Sequence, residues 1–501
     1  MGTQMPPQPN LPIHMPIASR LTRRRGALFA LILLLPGIQG CGLGWLYMRV
    51  ADSQRIRANK LLGADNDRQR FARSQKLYKN ALENYEESLL YDETGNPEVF
   101  HKFGFTFLLQ DPPNLDAAKG MFQKGIKIYG DSWTQYRLKQ DKSETKEDIS
   151  GDAYEITKRI RRIAAQTKED QYLDAILGLE DPRPKDDFAL TLSGIGLVYF
   201  LDGIKNRVSV LEAEDKTFAL AIKYLEAAEK FAAHKRAKAA DSFLDKLRDY
   251  FDLFEIIEPT PHAILLARVY LYQARELEIR GHPKLASLRL QNAQDALERV
   301  RIYYAEEPRF LTEIARLQFL RYQVSKSRED LDLALKSLEG IKTDSASYWD
   351  ARTTNLIRGN VLLELKKVKE AISVILDLRD RDPMDPEGIL LQARQHALEN
   401  EFEKVEDDLL VLFTDETRGD DVRLLMAAGR IYFDMGLHDK AKDYFLKASY
   451  VDPKDIQVNY YLGQAYKSLG DEKNMSICFQ RVANIDVSSD YAKEILPILN
   501  N

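Results

Sequence analysis

The chain has 501 residues, 44% of them hydrophobic and 30% charged, with 72 Lys and Arg against 77 Asp and Glu and a net charge of −5. That length is too great for one compact core, and the mildly acidic balance disfavours a general nucleic-acid-binding surface. No stretch shows the Val/Ile-rich alternation and turn chemistry of sheets, so an all-helical body of hairpins with one wet and one buried face is predicted.

Residues 1–25 are expected to be a disordered tail. Pro6, Pro7, Pro9, Pro12 and Pro16 fall in a stretch, 1–19, without a charged side chain, and such a composition cannot bury a core. Arg20, Arg23, Arg24 and Arg25 follow, and then Gly26 to Met48 carry no charge at all. At about 1.5 Å per residue this second stretch is long enough to cross a hydrocarbon layer of roughly 30 Å. A single transmembrane anchor is therefore predicted at 26–48, with Trp45 and Tyr47 at its interfacial end. Pro36 and the glycines at 37, 40, 42 and 44 weaken it as a helix.

Other readings of the segment stay open: a bacterial lipoprotein leader ending at Gly40-Cys41, with Cys41 lipidated, a cleaved signal, or a buried helix. Against the lipoprotein, Ile38 and Gln39 depart from the usual residues before the cysteine, and Leu43 to Met48 continue apolar. The Arg20 to Arg25 cluster favours a cytoplasmic N-terminus, although Arg49, Arg55, Arg57 and Lys60 nearly cancel the bias. That orientation makes the chain a single-pass protein of a bacterial inner membrane with its body in the periplasm.

Residues 49–138 read as degenerate N-terminal helices. Phe103, Gly104 and Phe107, followed by Ala118, Phe122 and Gly125, predict a hairpin at about 98–129. Residues 139–152 read as a polar linker or loop. The segment 75–92 and, within 153–351, the segments 190–233, 262–305 and 309–340 read as amphipathic helix pairs, punctuated by Pro97, Pro259, Pro261, Pro283 and Pro308. A continuing stack and an irregular bundle both fit this half of the chain.

Four tandem hairpins are predicted over 352–487, with a C-terminal helix or cap at 488–501. Ala428, Gly429, Tyr432, Ala441, Phe445, Ala448 and Pro453 form a spaced set, and Gly463, Tyr466 and Phe479 repeat three of them one unit later. Gly429 and Gly463 are expected to let Ala441 and Met475 of the second helix approach closely, while the tyrosines and phenylalanines bury between hairpins. Pro453 ends the second helix because it lacks an amide donor. Gly359, Leu362, Ala371, Ile375, Leu378 and Pro383 occupy the same offsets earlier, followed by Ala393, His396, Val405, Leu409 and Leu412. The stretch Thr414 to Asp421 reads as a loop insertion before the unit that begins at Val422.

These residues resemble the tetratricopeptide repeat family, whose period is 34 residues. The unit at 422–455 carries the family's signature at Ala428, Gly429, Tyr432, Ala441, Phe445, Ala448 and Pro453. The next departs from it at Met475, Val482 and Val487. The resemblance implies an α-solenoid, a superhelix of antiparallel helix pairs. It also implies a concave partner-binding groove lined by Asn360 and Leu363, by Arg394, by Arg423, Met426, Arg430 and Phe433, and by Tyr460, Gln464 and Lys467. Arginines beside aromatics suit a peptide with acidic and apolar side chains. The carboxylate clamp of some family members is absent, because its lysine and asparagine positions read Leu356/Asn360, Leu390/Arg394 and Met426/Arg430.

No catalytic constellation accompanies the repeats. The sequence has no HExxH, CxxC or GxSxG, and its histidines at 14, 101, 234, 262, 282, 396 and 438 are dispersed. Asp380, Asp382 and Asp385, and Glu406 to Asp408, read as solvated faces and not as a metal site. His396 and Cys478 read as packing residues. The sequence thus predicts no enzyme, no cofactor, no metal, no nucleic acid and no small-molecule substrate. It predicts a membrane-anchored scaffold for a protein or peptide partner or, alternatively, a structural or assembly component of an envelope machine for secretion, motility or division.

Overall fold

The computed structural model describes residues 41–62, 68–91, 97–126, 173, 177, 186–206, 209–211, 216–232, 262–342 and 348–499. Among the described residues there are helices and turns and no strand. The proline-rich tail, the span up to Gly40 and the linker at 139–152 lie outside them.

Antiparallel pairs succeed one another along the chain. α1 (Cys41–Leu62) pairs with α2 (Arg68–Tyr91), and α3 (Pro97–Leu108) is followed by α4 over 115–126. α5 (Asp186–Lys205) pairs with α6 (Thr217–Phe231), α7 (His262–Ile279) with α8 (Pro283–Tyr304), and α9 (Pro308–Ser325) with α10 (Arg328–Leu338). The C-terminal pairs are α11 (Tyr348–Glu364) with α12 (Val368–Arg381), α13 (Pro386–Leu398) with α14 (Phe402–Leu412), α15 (Val422–Asp434) with α16 (His438–Val451), and α17 (Ile456–Ser468) with α18 (Glu472–Ile485). α19 (Asp490–Leu499) covers the end of the stack. A 3-10 turn at Glu416–Arg418 fills the stretch before α15.

The local chemistry of the pairs repeats. Carboxylates cap the first helices of three units: Asp385 accepts from the Glu387 amide (3.2 Å), Asp421 from the Arg423 amide (2.9 Å) and Asp455 from the Val458 amide (2.9 Å). From α7 to α18 each turn inside a pair places one residue in the left-handed region: Gly281, Lys326, Lys366, Asn400, Gly436 and Gly470. At Gly436 and Gly470 that conformation is free of Cβ strain. Lys366 adopts it at φ 58 against about 1 kcal/mol of strain, so Lys366→Gly is expected to raise the thermal midpoint slightly, by at most about 0.5 kcal/mol of stability once the entropy of glycine is offset.

The core is keyed by rings set against missing side chains. A Cβ on Gly429 would lie 2.4 Å from the Phe445 ring, and one on Gly463 would lie 2.4 Å from Phe479. The glycines thus admit the large phenylalanines and not Ala441 or Met475 as expected, because the ring reaches across the pair where the smaller groups cannot. Gly359 differs again, since its nearest neighbour is Leu391 of the following pair, 2.4 Å from a Cβ built there. The same device appears upstream, where Phe122 is clamped between Gly104 and Gly194. Phe445 also reaches Tyr461 of the next pair (5.7 Å), and Tyr432 stacks on Tyr444 (5.7 Å).

Two expectations need correction. The segment 75–92 is not a helix pair but part of the single helix α2, which pairs with α1. Tyr47, expected at a membrane interface, and Met48, the last residue of the expected span, belong to that pair: Tyr47 stacks on Tyr91 (5.6 Å) and Met48 is buried in one cluster with Ala81, Tyr85 and Val99. Among the described residues one helix stretch, Phe188–Lys205, is long and apolar enough by composition to cross a membrane. It lies inside the stack, with Ala189, Leu192 and Ile195 fully buried beside Tyr224 and Ala228.

Ion pairs join successive pairs. Arg268 on α7 meets the fully buried Glu313 on α9 (2.7 Å), Arg309 meets Asp350 (3.1 Å), and Arg352 grips Asp385 through two bonds of 2.8 and 2.7 Å. The stack also meets itself. The Asp490 amide donates to the Gly281 carbonyl (2.8 Å), and His282 Nε2 lies 2.7 Å from Asp486 Oδ2. The contacts from α7 through α19 therefore form a closed circuit.

Candidate partner-binding face

Polar side chains link the first helices of successive pairs, the face on which a partner groove is expected. Tyr322 on α9 donates to Glu364 on α11 (2.9 Å), which also accepts from Arg394 on α13 (2.8 Å). Arg394 donates in addition to Asn360 (2.5 Å), 34 residues away. Arg430 on α15 lies over the Tyr461 ring on α17, 5.2 Å from its centroid. Tyr460 donates to Glu494 on α19 (2.7 Å), and its ring meets Tyr491 at 4.5 Å. Glu494 also accepts from Gln464 (3.4 Å).

The nominated residues divide into three groups. Asn360, Arg394, Tyr460 and Gln464 are half-buried and hold neighbouring pairs together, so their polar atoms are already engaged. Arg423, Arg430 and Lys467 are exposed, Arg423 with 77% of its side chain open while it pairs with Asp421 (3.2 Å). Met426, Leu363 and Phe433 are not on the open face. Met426 is 5% and Leu363 2% exposed, and Phe433 packs among His438, Phe445 and Tyr461. The helical offset that places them on the groove turns them instead toward the neighbouring first helix and the core.

Burial sets the electrostatics. The Tyr461 phenol is pushed up by burial, with Arg430 opposing, and the Tyr460 phenol is pushed up by burial and by its bond to Glu494. Across the curve, α7 presents Tyr272, Glu276 and Glu278. Burial raises the Glu278 carboxyl above its usual range while Lys326 and Arg430 oppose the shift. Tyr272 is pushed up to about 12 by burial and by Glu276, with Arg423 opposing. The exposed arginines of α15 thus lie in the field of carboxylates from α7, although the two helices are not packed as neighbours. The sequence pattern misses Glu278, Glu364, Tyr461 and Glu494. Glu494 stands one unit from Tyr460 and Glu364 30 residues before Arg394, whereas Glu278 comes from a pair 152 residues before Arg430, beyond any repeat offset.

The remaining chemistry is sparse. Among the described residues no group of three or more His, Cys, Asp or Glu side chains is placed to hold a metal ion. His396 Nδ1 meets Asp408 across its pair (2.7 Å). Cys478 is buried, and burial raises its thiol to about 11. It lies beside an outer groove of 920 Å³ lined by Leu446, Tyr450, Ile477 and Arg481. Cys41 opens α1.

The tetratricopeptide repeat family profile matches residues 422–455 and 456–486, the spans of α15–α16 and α17–α18. These two pairs are tetratricopeptide repeats. The comparison with curated proteins found no match. Among solved structures, the chain is similar to a tetratricopeptide repeat protein from Parabacteroides merdae, at 13% identity over 62% of this chain and 99% of that one, with a TM-score of 0.36. It is also similar to yeast Tom70, at 13% identity over 90% of this chain and 95% of that one, with a TM-score of 0.33. No catalytic family is indicated by these matches.

Proposed function

We propose that the chain is a non-enzymatic scaffold that holds a protein or peptide partner on the inner face of its helical stack and is tethered to a bilayer by the apolar segment before α1. The repeats at 422–486 support the first part, since tetratricopeptide repeats bind protein or peptide partners. The observation that carries it is the contrast along the first helices: Arg394, Tyr460 and Gln464 are committed to neighbouring pairs, while Arg423, Arg430 and Lys467 stand exposed, with Arg430 over the Tyr461 ring. Exposed guanidinium groups next to a rigid ring fit an acidic segment that also carries apolar side chains, the carboxylates taking forked bonds and the apolar groups covering the tyrosines.

Charge reversal at the two exposed arginines tests this, because Arg394→Glu would also break the bonds to Asn360 and Glu364 and confuse binding with folding. Arg423→Glu with Arg430→Glu is expected to lower recovery of crosslinked partners from native membranes at least about fivefold, the loss of one or two charge pairs. An unchanged set of partners at unchanged yield would rule out the inner face.

The tether rests on the uncharged run from Gly26. With Gly44 and Met48 buried in the first pair, the proposed span runs from Gly26 to about residue 43, a length that would cover about 27 Å as a helix at about 1.5 Å per residue, close to a bilayer core. The Arg20 to Arg25 cluster supports a cytoplasmic N-terminus, which puts the repeats in the periplasm of a bacterium. Retention of the chain in the pellet after alkaline carbonate washing, and its release when residues 1–40 are deleted, are the expected results.

A further inference from the structure

We propose that the meeting of the α7–α8 turn with the C-terminal cap is a clasp that closes the stack from α7 to α19 into a ring and governs entry to its inner face. This rests on the reading of the inner face as the partner site. The contact has three parts that independently fit a built joint. His282 Nε2 lies 2.7 Å from Asp486 Oδ2, with both side chains largely buried, and Asp486 is held in place by the Ser488 amide (2.8 Å) and hydroxyl (2.6 Å). The Asp490 amide, at the start of α19, donates to the Gly281 carbonyl at 2.8 Å. Gly281 itself takes φ +79, and a Cβ there would lie 2.9 Å from the Tyr491 ring, so only glycine lets the cap sit down.

The groups around the clasp complete the case. Tyr491 packs on Tyr460, which belongs to the inner face, and its phenol feels both Glu278 and Arg430. Arg280, beside the turn, lies in the field of Asp455 at the start of α17. Opposite charges from the two ends of the circuit thus lie within one another's field: Glu276 and Arg423, Glu278 and Arg430, Arg280 and Asp455. These pairs draw the ends together without helix-on-helix packing, so closure depends on a few polar contacts and one ring. A joint of that kind opens as a unit while each hairpin stays folded. A bulky acidic segment reaches Arg430 when the clasp is open, and an occupant that neutralises Arg430 removes one of the attractions that hold it shut.

The full-length chain with Cys41→Ala and Cys478→Ala provides the test. Dyes on Ser287→Cys and Lys493→Cys, both exposed positions on either side of the clasp, report its distance by single-molecule energy transfer. The parent is expected to show one narrow, short-distance population. His282→Ala or Asp486→Ala should increase a longer-distance population roughly tenfold, the effect of losing one charge-assisted hydrogen bond. The exchange His282→Asp with Asp486→His should restore the short distance. In a second readout, Lys467→Cys, at an exposed position that takes no part in the clasp, is labelled with a bulky polyethylene-glycol maleimide and with N-ethylmaleimide, and the ratio of the two rates should rise with the open population. A distance distribution that ignores all three variants, with melting unchanged, overturns the clasp. Distances that respond while the labelling ratio stays fixed overturn its control of entry. Neither readout uses a partner, so a charge-reversal experiment that fails to lose partners leaves both untouched.

Discussion

Phe445→Ala is expected to destabilise the C-terminal hairpins by about 3–5 kcal/mol, the usual range for removing a fully buried aromatic ring. The ring is fully buried, sits against Gly429 and reaches Tyr461, so its loss empties the joint within one pair and between two. A local relaxation cannot refill the space, because Gly429 offers no side chain to move in. The companion change gives the sharper test. Gly429→Ala adds the best helix former in place of glycine, worth about 1 kcal/mol in an open helix. Here its Cβ would meet the ring at 2.4 Å, and overpacking of that kind costs about 1–3 kcal/mol. The net effect is a loss, which should vanish or reverse in a Phe445→Leu background. A double-mutant cycle measured by thermal melting, with hydrogen exchange to locate the unfolding pairs, reads the coupling. If Gly429→Ala raised the melting point in the parent chain, the keyed-ring account would be wrong.

Asp385→Ala is the second large effect. Asp385 is 2% exposed, caps α13 through the Glu387 amide and receives both bonds of the Arg352 guanidinium. Removing it loses a helix cap, about 1 kcal/mol, and takes from Arg352 the two charge-assisted bonds that it makes to Asp385, about 2 kcal/mol more. The second figure stays at the low end because the Arg352 side chain is 20% exposed and retains its contact with Glu387, which is itself half in water. Since Arg352 lies on α11 and Asp385 at the start of α13, the loss should appear as weaker hydrogen-exchange protection in both pairs at once. Asp385→Asn keeps a cap acceptor but loses the charge, so it should recover about the cap contribution alone. Loss confined to α13 would show that the cross-pair bond contributes nothing.

The repeat region was legible because its determinants recur at a fixed offset. Gly429 and Gly463, and Phe445 and Phe479, do the same work in successive pairs, so one sequence comparison exposes them. Asp385 and Asp408, expected on solvated faces, are instead buried, Asp385 as the cap of α13 and Asp408 against His396, because acid-rich spacing does not say which carboxylate meets a helix start or an imidazole. The partner of Gly429 was misread because spacing says which residues share a face but not how far each side chain reaches. Phe445 extends over the glycine that Ala441 was expected to fill. Met426 shows the same limit on the inner face, where the offset that points Arg423 outward points the thioether into the core. Upstream, the sequence makes α2 look like a pair because its partner α1 overlaps the apolar run assigned to the span, and one stretch of apolar residues cannot announce where a span yields to a packed helix. Glu278 and His282 were invisible for a different reason. Their neighbours Arg430 and Asp486 are set by how much each hairpin turns relative to the last, a sum of small rotations that no local pattern records.

Equal joints combined with a closing contact give the molecule a way of counting. Contacts such as Arg394 to Asn360 and Tyr460 to Glu494 both span 34 residues, so excising the segment from Gly429 to Leu462 would splice Ala428 to Gly463 and leave every remaining joint with a suitable partner. The shortened chain would nevertheless bring Asp486 and Tyr491 to the wrong angular position for His282 and Gly281. Duplication or loss of a module, neutral for most linear arrays, would here be checked by whether head still meets tail.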